Sequence, residues 1–167
     1  PPDHRQHVYL YDELYLKECD ATKFARAVSE KTLGQHLQAF VIDPNMAIYT
    51  EVGAGKRVDQ QYSDALRKVG VASAATGTGF ILASEDLDAG PLAVHEWLRL
   101  GENAAPKLQV LRGKLPNFEW EIRRYHRKRI GGMVTDRPDQ KRHNHLMDCL
   151  RYLALYDPRY VRPGKTT

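Results

Sequence analysis

Short apolar runs alternate with amphipathic segments along most of this chain, and this alternation limits the possible folds more than any other feature. Residues 7–16 are rich in aromatic and branched side chains, which favours a strand. The run Ala39–Ile42 is wholly apolar and precedes Asp43-Pro44, a pattern typical of a buried strand that ends in a turn. Between Val58 and Val69, apolar residues recur at helical spacing, which predicts an amphipathic helix.

The same rules assign the rest of the chain. Asp20 or Thr22 can cap a helix, and Gly131-Gly132 predicts the tip of a hairpin. The further predicted elements are helices over about 22–36, 91–100, 118–125 and 142–156 and strands over 71–74, 107–111, 127–130 and 133–135. Phe118, Trp120 and Ile122 also alternate as in a strand, but we favour the helix. This order predicts an α/β protein with a mostly parallel sheet covered on both faces. The length of 167 residues suits one domain, which we expect over residues 1–160, with a flexible tail over 161–167.

Positive charge is concentrated towards the end of the chain. Residues 112–142 hold ten Lys and Arg against four Asp and Glu, whereas the whole chain has a net charge of only +4. Such a segment predicts contact with a polyanion, although a solvated basic face without a partner is the alternative. The candidate phosphate contacts in this segment are Arg127, Lys128, Arg129, Arg137, Lys141 and Arg142.

The sequence lacks the motifs that several classes of function require. No apolar stretch approaches the roughly 18 residues of a membrane span, and the start of the chain has no signal-peptide character. Cys19 and Cys149 are too few for a disulfide framework or a thiolate zinc site. The segment Gly53–Arg57 departs from a phosphate-binding loop, because Arg57 stands where Ser or Thr is required. Chemistry at a metal held by oxygen ligands remains, with Mg²⁺ or Mn²⁺ as the cation.

Two carboxylates are candidates for holding such a cation. Asp43 follows a predicted strand, and ligands of α/β proteins bind beyond the carboxyl ends of strands, but an Asp before Pro is also a common turn residue. Asp148 lies on the last predicted helix after the basic segment, but it could equally be a surface residue paired with Arg151. Asp12 and Glu13 are best explained as charges that protect an edge strand from aggregation.

Three segments, in order, resemble one protein family. They are Val8–Tyr15, Phe40–Pro44 and Asn144–Tyr152, and the last is the most specific because it has an Asp followed by a hydrophobic-Arg-Tyr run. Together they resemble the C-terminal nuclease domain of the large terminase subunit of tailed bacteriophages and prophages. The resemblance covers nearly the whole chain.

This resemblance implies an RNase H-like fold, a mixed sheet flanked by helices, and a divalent-metal endonuclease that cuts double-stranded viral DNA during genome packaging. It implies catalytic and metal-binding roles for Asp43 and Asp148, with two Mg²⁺ or Mn²⁺ ions roughly 3.5–4 Å apart. It also implies an N-terminal ATPase domain, the portal and the small terminase subunit as partners in the full protein, and the cytoplasm of a bacterial host as the location.

The chain departs from the family at its start. The family's first carboxylate lies on an earlier strand, and only residues 1–6 precede the strand predicted over 7–16, so the first strands of the fold are expected to be missing. Asp3 is a poor substitute because no buried strand surrounds it. One alternative is therefore a DNA-binding or docking module without activity. Another is a different RNase H-like enzyme, such as a junction resolvase or a transposase.

Overall fold

The computed structural model describes residues 7–48, 55–100, 105–138 and 144–159. The chain divides into two compact units. Unit one consists of residues 7–13 and the described part of 85–159, and unit two consists of the described part of 14–84. The expectation of one domain over residues 1–160 stays a prediction. The expected tail over 161–167 lies outside the described residues.

The chain is a mixed α/β protein with small sheets. In chain order its elements are β1 (Val8–Leu10), α1 (Ala21–Lys31), β2 (Val41–Ile42), α2 (Pro44–Ile48), α3 (Val58–Lys68), β3 (Ile81–Leu82), α4 (Ala89–Leu98), β4 (Leu108–Val110), α5 (Pro116–Ile122), β5 (Arg127–Ile130), β6 (Met133–Pro138) and α6 (His145–Tyr156). Within the described ranges, no helix is both long and apolar enough to cross a membrane.

The strands pair as three two-stranded sheets in the part of the chain that the structure describes. In unit one, β1 and β4 are parallel, with Val8 opposite Leu108. In unit two, β2 and β3 are parallel, with Val41 opposite Ile81. The strands β5 and β6 form the expected antiparallel hairpin. The sequence predicted parallel pairing, and β1–β4 and β2–β3 confirm it, but each parallel pair is only two or three residues long.

Helix α3 follows its sequence pattern, whereas α1 ends at Lys31, before the predicted end at about residue 36. Asp20 caps α1, because its side chain accepts a hydrogen bond from the backbone N–H of Lys23 at 2.7 Å. The strand predicted over 71–74 is wrong. Ser73 and Gly77 instead close a turn through backbone hydrogen bonds, and Gly77 supplies the positive φ of 61°. The strand that pairs with β2 is β3, which the sequence did not predict.

Each unit has its own apolar core. In unit one, α4 and α6 pack together with β4 and α5, and the buried residues are Trp97, Leu108, Leu115, Phe118, Met147, Leu150 and Ala154. In unit two, α1 packs on α3, and the buried residues are Ala25, Ala65, Leu66 and Val71. The core of unit one therefore surrounds α6, which carries Asp148.

Candidate metal-binding carboxylates and basic segment

Asp148 lies in the first turn of α6 and is held by two side chains. Its Oδ1 accepts a hydrogen bond from Nη2 of Arg151 at 2.5 Å, and its Oδ2 accepts one from Nδ2 of Asn144 at 3.1 Å. A negative charge in a first helical turn is also favoured by the helix dipole. The carboxylate is therefore held at both oxygens.

The partner of Asp148 is a buried arginine. The Arg151 side chain is 5% exposed, whereas that of Asp148 is 24% exposed. The sequence had suggested the same ion pair, but on an exposed face, so that part of the interpretation is wrong. Burying a charge away from water costs free energy unless the charge is paired. The ion pair of the buried Arg151 therefore matters more for stability than the ion pair of a surface arginine.

Helix α4 helps to bury Arg151. Gly90 lies against it so closely that an added Cβ atom would be 3.3 Å from Cβ of Arg151 and 3.4 Å from its Cδ. The guanidinium also lies 5.7 Å from the centre of the Tyr152 ring. Because Gly90 has no side chain, the backbone of α4 can approach the stem of Arg151.

Two further groups complete this cluster. Glu121 is 2% exposed and caps α6 by accepting a hydrogen bond from the backbone N–H of Leu146 at 2.8 Å. The Tyr125 hydroxyl is buried, and burial raises the pKa of its phenol; the charge of Arg151 opposes this shift and the charge of Asp148 adds to it. Among the described residues, neither this hydroxyl nor Nε and Nη1 of Arg151 has a hydrogen-bond partner.

Asp43 is held by local backbone instead. It follows β2 and precedes α2, and its Oδ1 accepts hydrogen bonds from the N–H groups of Asn45 at 2.8 Å and Met46 at 3.4 Å. The turn expected at Asp43-Pro44 is therefore the start of a short helix. Asp43 does stand at the carboxyl end of a parallel strand, as the sequence predicted.

The two candidate carboxylates belong to different units, Asp43 to unit two and Asp148 to unit one. Among the residues that the structure describes, no three His, Cys, Asp or Glu side chains form a group that could hold a metal ion. Carboxylate oxygens are nevertheless the ligand type that Mg²⁺ and Mn²⁺ prefer, and Asp148 retains solvent access. Each carboxylate is thus suited to contribute one ligand.

The basic segment is described in part. Arg127, Lys128 and Arg129 lie on β5 and Arg137 on β6, and the backbone of Arg129 pairs with that of Val134. Lys141 and Arg142 lie outside the described residues, as does His143. His145 is the first residue of α6 and is exposed. The hairpin therefore carries four of the six predicted phosphate contacts.

Glu13 has a structural role that the sequence did not predict. Both of its carboxylate oxygens cap α5: Oε1 accepts hydrogen bonds from the backbone and side chain of Asn117, at 2.8 and 2.7 Å, and Oε2 accepts one from the backbone of Phe118 at 2.8 Å. No local pattern signals this contact, because 104 residues separate Glu13 from Asn117. Protection of an edge strand is therefore an incomplete account of this residue.

A polar groove in unit two, with a volume of about 210 Å³, lies along α3. Its charged side chains are paired with one another or with neighbours: Asp64 binds Lys56 and Arg67, each at 2.8 Å, and Ser63 hydrogen-bonds Thr78 at 3.1 Å. These pairs account for the polar lining as a structural network.

Comparisons with known proteins give no family for this chain. No protein-family model, no curated protein and no solved structure matches it.

Proposed function

We propose that this chain is part of a divalent-metal-dependent endonuclease that cleaves double-stranded viral DNA during genome packaging, with the RNase H-like fold of the terminase nuclease domain that it resembles. Its location would then be the cytoplasm of a bacterial host. The ATPase domain, the portal and the small terminase subunit would be its partners.

The observation that carries this proposal is how Asp148 is held. Both of its oxygens accept a side-chain hydrogen bond, and its carboxylate still reaches solvent. A metal ligand needs this combination, because its orientation must be set before the cation binds and the cation must be able to reach it. Asp148 is also the acidic residue on which the most specific segment of the resemblance depends.

The position of Asp43 supports the same function. It stands at the carboxyl end of a parallel strand, where ligands of α/β proteins bind, and the backbone of α2 orients its Oδ1. In the proposed function, Asp43 and Asp148 would each act as a metal ligand. When bound, Mg²⁺ or Mn²⁺ would activate a water molecule and stabilise negative charge on the phosphate.

The protein's other contribution is binding of the duplex. Arginines and lysines of the basic segment, four of them on the β5–β6 hairpin, would neutralise backbone phosphates, which gives binding that is independent of sequence and weakens as salt increases. The residues proposed for this role are Arg127, Lys128, Arg129, Arg137, Lys141 and Arg142. Binding through phosphates would hold the DNA during cleavage.

The test measures Mn²⁺-dependent nicking of supercoiled plasmid by the protein with its natural flanking sequence. Asp43→Asn and Asp148→Asn are expected to lose nicking, because an amide lacks the negative charge that a metal ligand supplies. Asp20→Asn is the matched control, since Asp20 caps a helix through its carboxylate as Asp43 does and has no proposed metal role. Asn is as good a helix cap as Asp, so helix capping should survive in both cap variants.

Thermal unfolding of each variant separates lost chemistry from lost structure. The proposal is supported if Asp43→Asn unfolds at the same temperature as Asp20→Asn and only the first loses nicking. It is wrong if Asp43→Asn and Asp148→Asn both nick the plasmid at the wild-type rate.

A second candidate function is a DNA-binding or docking module without nuclease activity. It is favoured by one observation, namely that the described residues hold no group of three metal-ligating side chains. Calorimetric titration distinguishes the two functions. Binding of duplex DNA without any binding of Mn²⁺ would favour the module, whereas Mn²⁺ binding that Asp148→Asn weakens would favour the nuclease.

A further inference from the structure

We infer that Arg151 is a positioning residue for Asp148: it fixes the carboxylate from the buried side and leaves the solvent side to a divalent cation. This inference rests on the proposed metal-binding role of Asp148. Arg151 itself would touch neither the metal nor the DNA, because its side chain is 5% exposed.

Arg151 and Asp148 differ in burial. Arg151 is closed off from water, whereas the carboxylate of Asp148 is partly open to it at 24% exposure. The guanidinium therefore reaches Oδ1 from the interior, and an incoming cation would come from solvent. The two positive groups can approach Asp148 from different sides without displacing one another.

The carboxylate of Asp148 has more acceptor positions than its two hydrogen-bond donors occupy. A carboxylate offers about four lone-pair positions on its two oxygens. Arg151 takes one on Oδ1 and Asn144 takes one on Oδ2. Enough positions remain for a metal ion, so the ion pair and metal ligation are compatible at the same carboxylate.

The Arg151 guanidinium has few hydrogen-bond acceptors among the described residues. Its Nε and Nη1 have no hydrogen-bond acceptor among the described residues, so Asp148 is the acceptor that its charge has there. Gly90 packs on its stem and Tyr152 lies beside its head. An arginine confined in this way holds the carboxylate of Asp148 in one orientation. An exposed arginine would follow the movements of the carboxylate and would not restrict them.

The experiment measures Mn²⁺ affinity by calorimetry and by the electron paramagnetic resonance signal of free Mn²⁺. Arg151→Met should weaken binding about 10- to 100-fold, the usual effect of removing a residue that orients a metal ligand. Arg151→Lys should bind more tightly than Arg151→Met but less tightly than wild type, because lysine keeps the charge and lacks the planar fork. A purely structural role would not give this graded recovery.

Arg67→Met is the matched control. Arg67 pairs with Asp64 at the same three-residue helical spacing, at 2.8 Å, but its side chain is 65% exposed. We expect its removal to leave Mn²⁺ affinity unchanged. All measurements are made at a temperature at which each variant is folded by circular dichroism.

The results separate the inference from the proposed function. Wild-type affinity, or tighter binding, in folded Arg151→Met overturns the inference; if that variant does not fold, wild-type affinity in Arg151→Lys overturns it. If the wild-type protein binds no Mn²⁺, the proposed function fails, and the side-chain amide of Asn144 then reports the orientation of Asp148 by nuclear magnetic resonance. A shifted, faster-exchanging Asn144 amide in Arg151→Lys supports positioning, and an unchanged one rejects it.

Discussion

Asp148 in unit one and Asp43 in unit two present the same carboxylate, but the two units hold it by different means. Side chains hold Asp148, and one of them is a buried charge that needs an acidic partner. Backbone N–H groups at the start of a short helix hold Asp43. A substitution at Asp148 therefore leaves a buried charge without its acidic partner, whereas one at Asp43 removes an acceptor for backbone hydrogen bonds at the start of α2.

The largest expected effect comes from Asp148→Ala. This change leaves Arg151 buried without an acidic partner, and breaking a buried pair in this way costs about 3–5 kcal/mol of unfolding free energy. Because Asp148 is partly exposed, we expect a value near the lower end. Asp43→Ala removes the carboxylate that caps α2, and loss of a helix cap costs about 0.5–2 kcal/mol.

Urea unfolding measures both variants. Tryptophan fluorescence follows unit one, which contains Trp97 and Trp120, and circular dichroism follows the whole chain. Equal losses of stability at the two positions would remove the distinction between them.

The next largest effect is a partial recovery of stability. Replacing both members of the pair, as in Asp148→Leu with Arg151→Met, removes the buried charge that Asp148→Ala leaves behind. We expect the double variant to be more stable than Asp148→Ala by about 1–3 kcal/mol, the range of coupling between groups in contact. A double variant as unstable as the sum of its single changes would show that the two residues act independently.

A smaller effect separates a distant helix cap from a local one. Glu13→Ala removes a carboxylate that caps α5 from 104 residues away, and Asp20→Ala removes one that caps α1 within its own turn. Capping residues contribute about 0.5–2 kcal/mol, and we expect Glu13 to lie at the upper end because it accepts three hydrogen bonds. Chemical denaturation of the two variants measures the order, and a larger loss for Asp20→Ala would reverse it.

The smallest effect appears at alkaline pH and concerns Tyr125 in unit one. Its pKa is raised in the folded protein, so the folded state keeps its proton more tightly than the unfolded state does. The resulting stabilisation is present below the unfolded pKa of about 10 and is lost as the pH rises through the folded value. Absorbance at 295 nm should show a tyrosine ionisation above pH 10 that Tyr125→Phe removes.

Local patterns were sufficient for the parts of the fold that local interactions determine. The apolar spacing between Val58 and Val69 predicted α3, and Asp20 is one of the two caps predicted for α1, because the contacts that form a helix lie within a few residues of each other. The strand partners were harder to predict. Ile81–Leu82 is as short as the β2 strand that it pairs with, and two residues carry too little pattern to identify a strand.

The candidate site also has features that local sequence indicates and features that depend on tertiary packing. The sequence could single out Asp43 and Asp148 as candidates because each lies at a recognisable local position, after an apolar run or on a patterned helix. The burial of Arg151 was not found, since it depends on Gly90, a residue of α4 that is remote in sequence. A charged residue on a helix is usually exposed, and only tertiary packing reverses that expectation.

The pairing of β1 with β4 has a consequence for the order in which the chain can fold during synthesis. Val8 leaves the ribosome first, but its partner Leu108 is made 100 residues later, as is the α5 helix that Glu13 caps. At roughly 5–20 residues per second this delay lasts about 5–20 s. All of residues 14–84 emerge within that interval, so unit two can assemble before β1 has its partner. Until then β1, which carries the exposed Tyr9, has unpaired backbone groups that are a template for pairing with another chain.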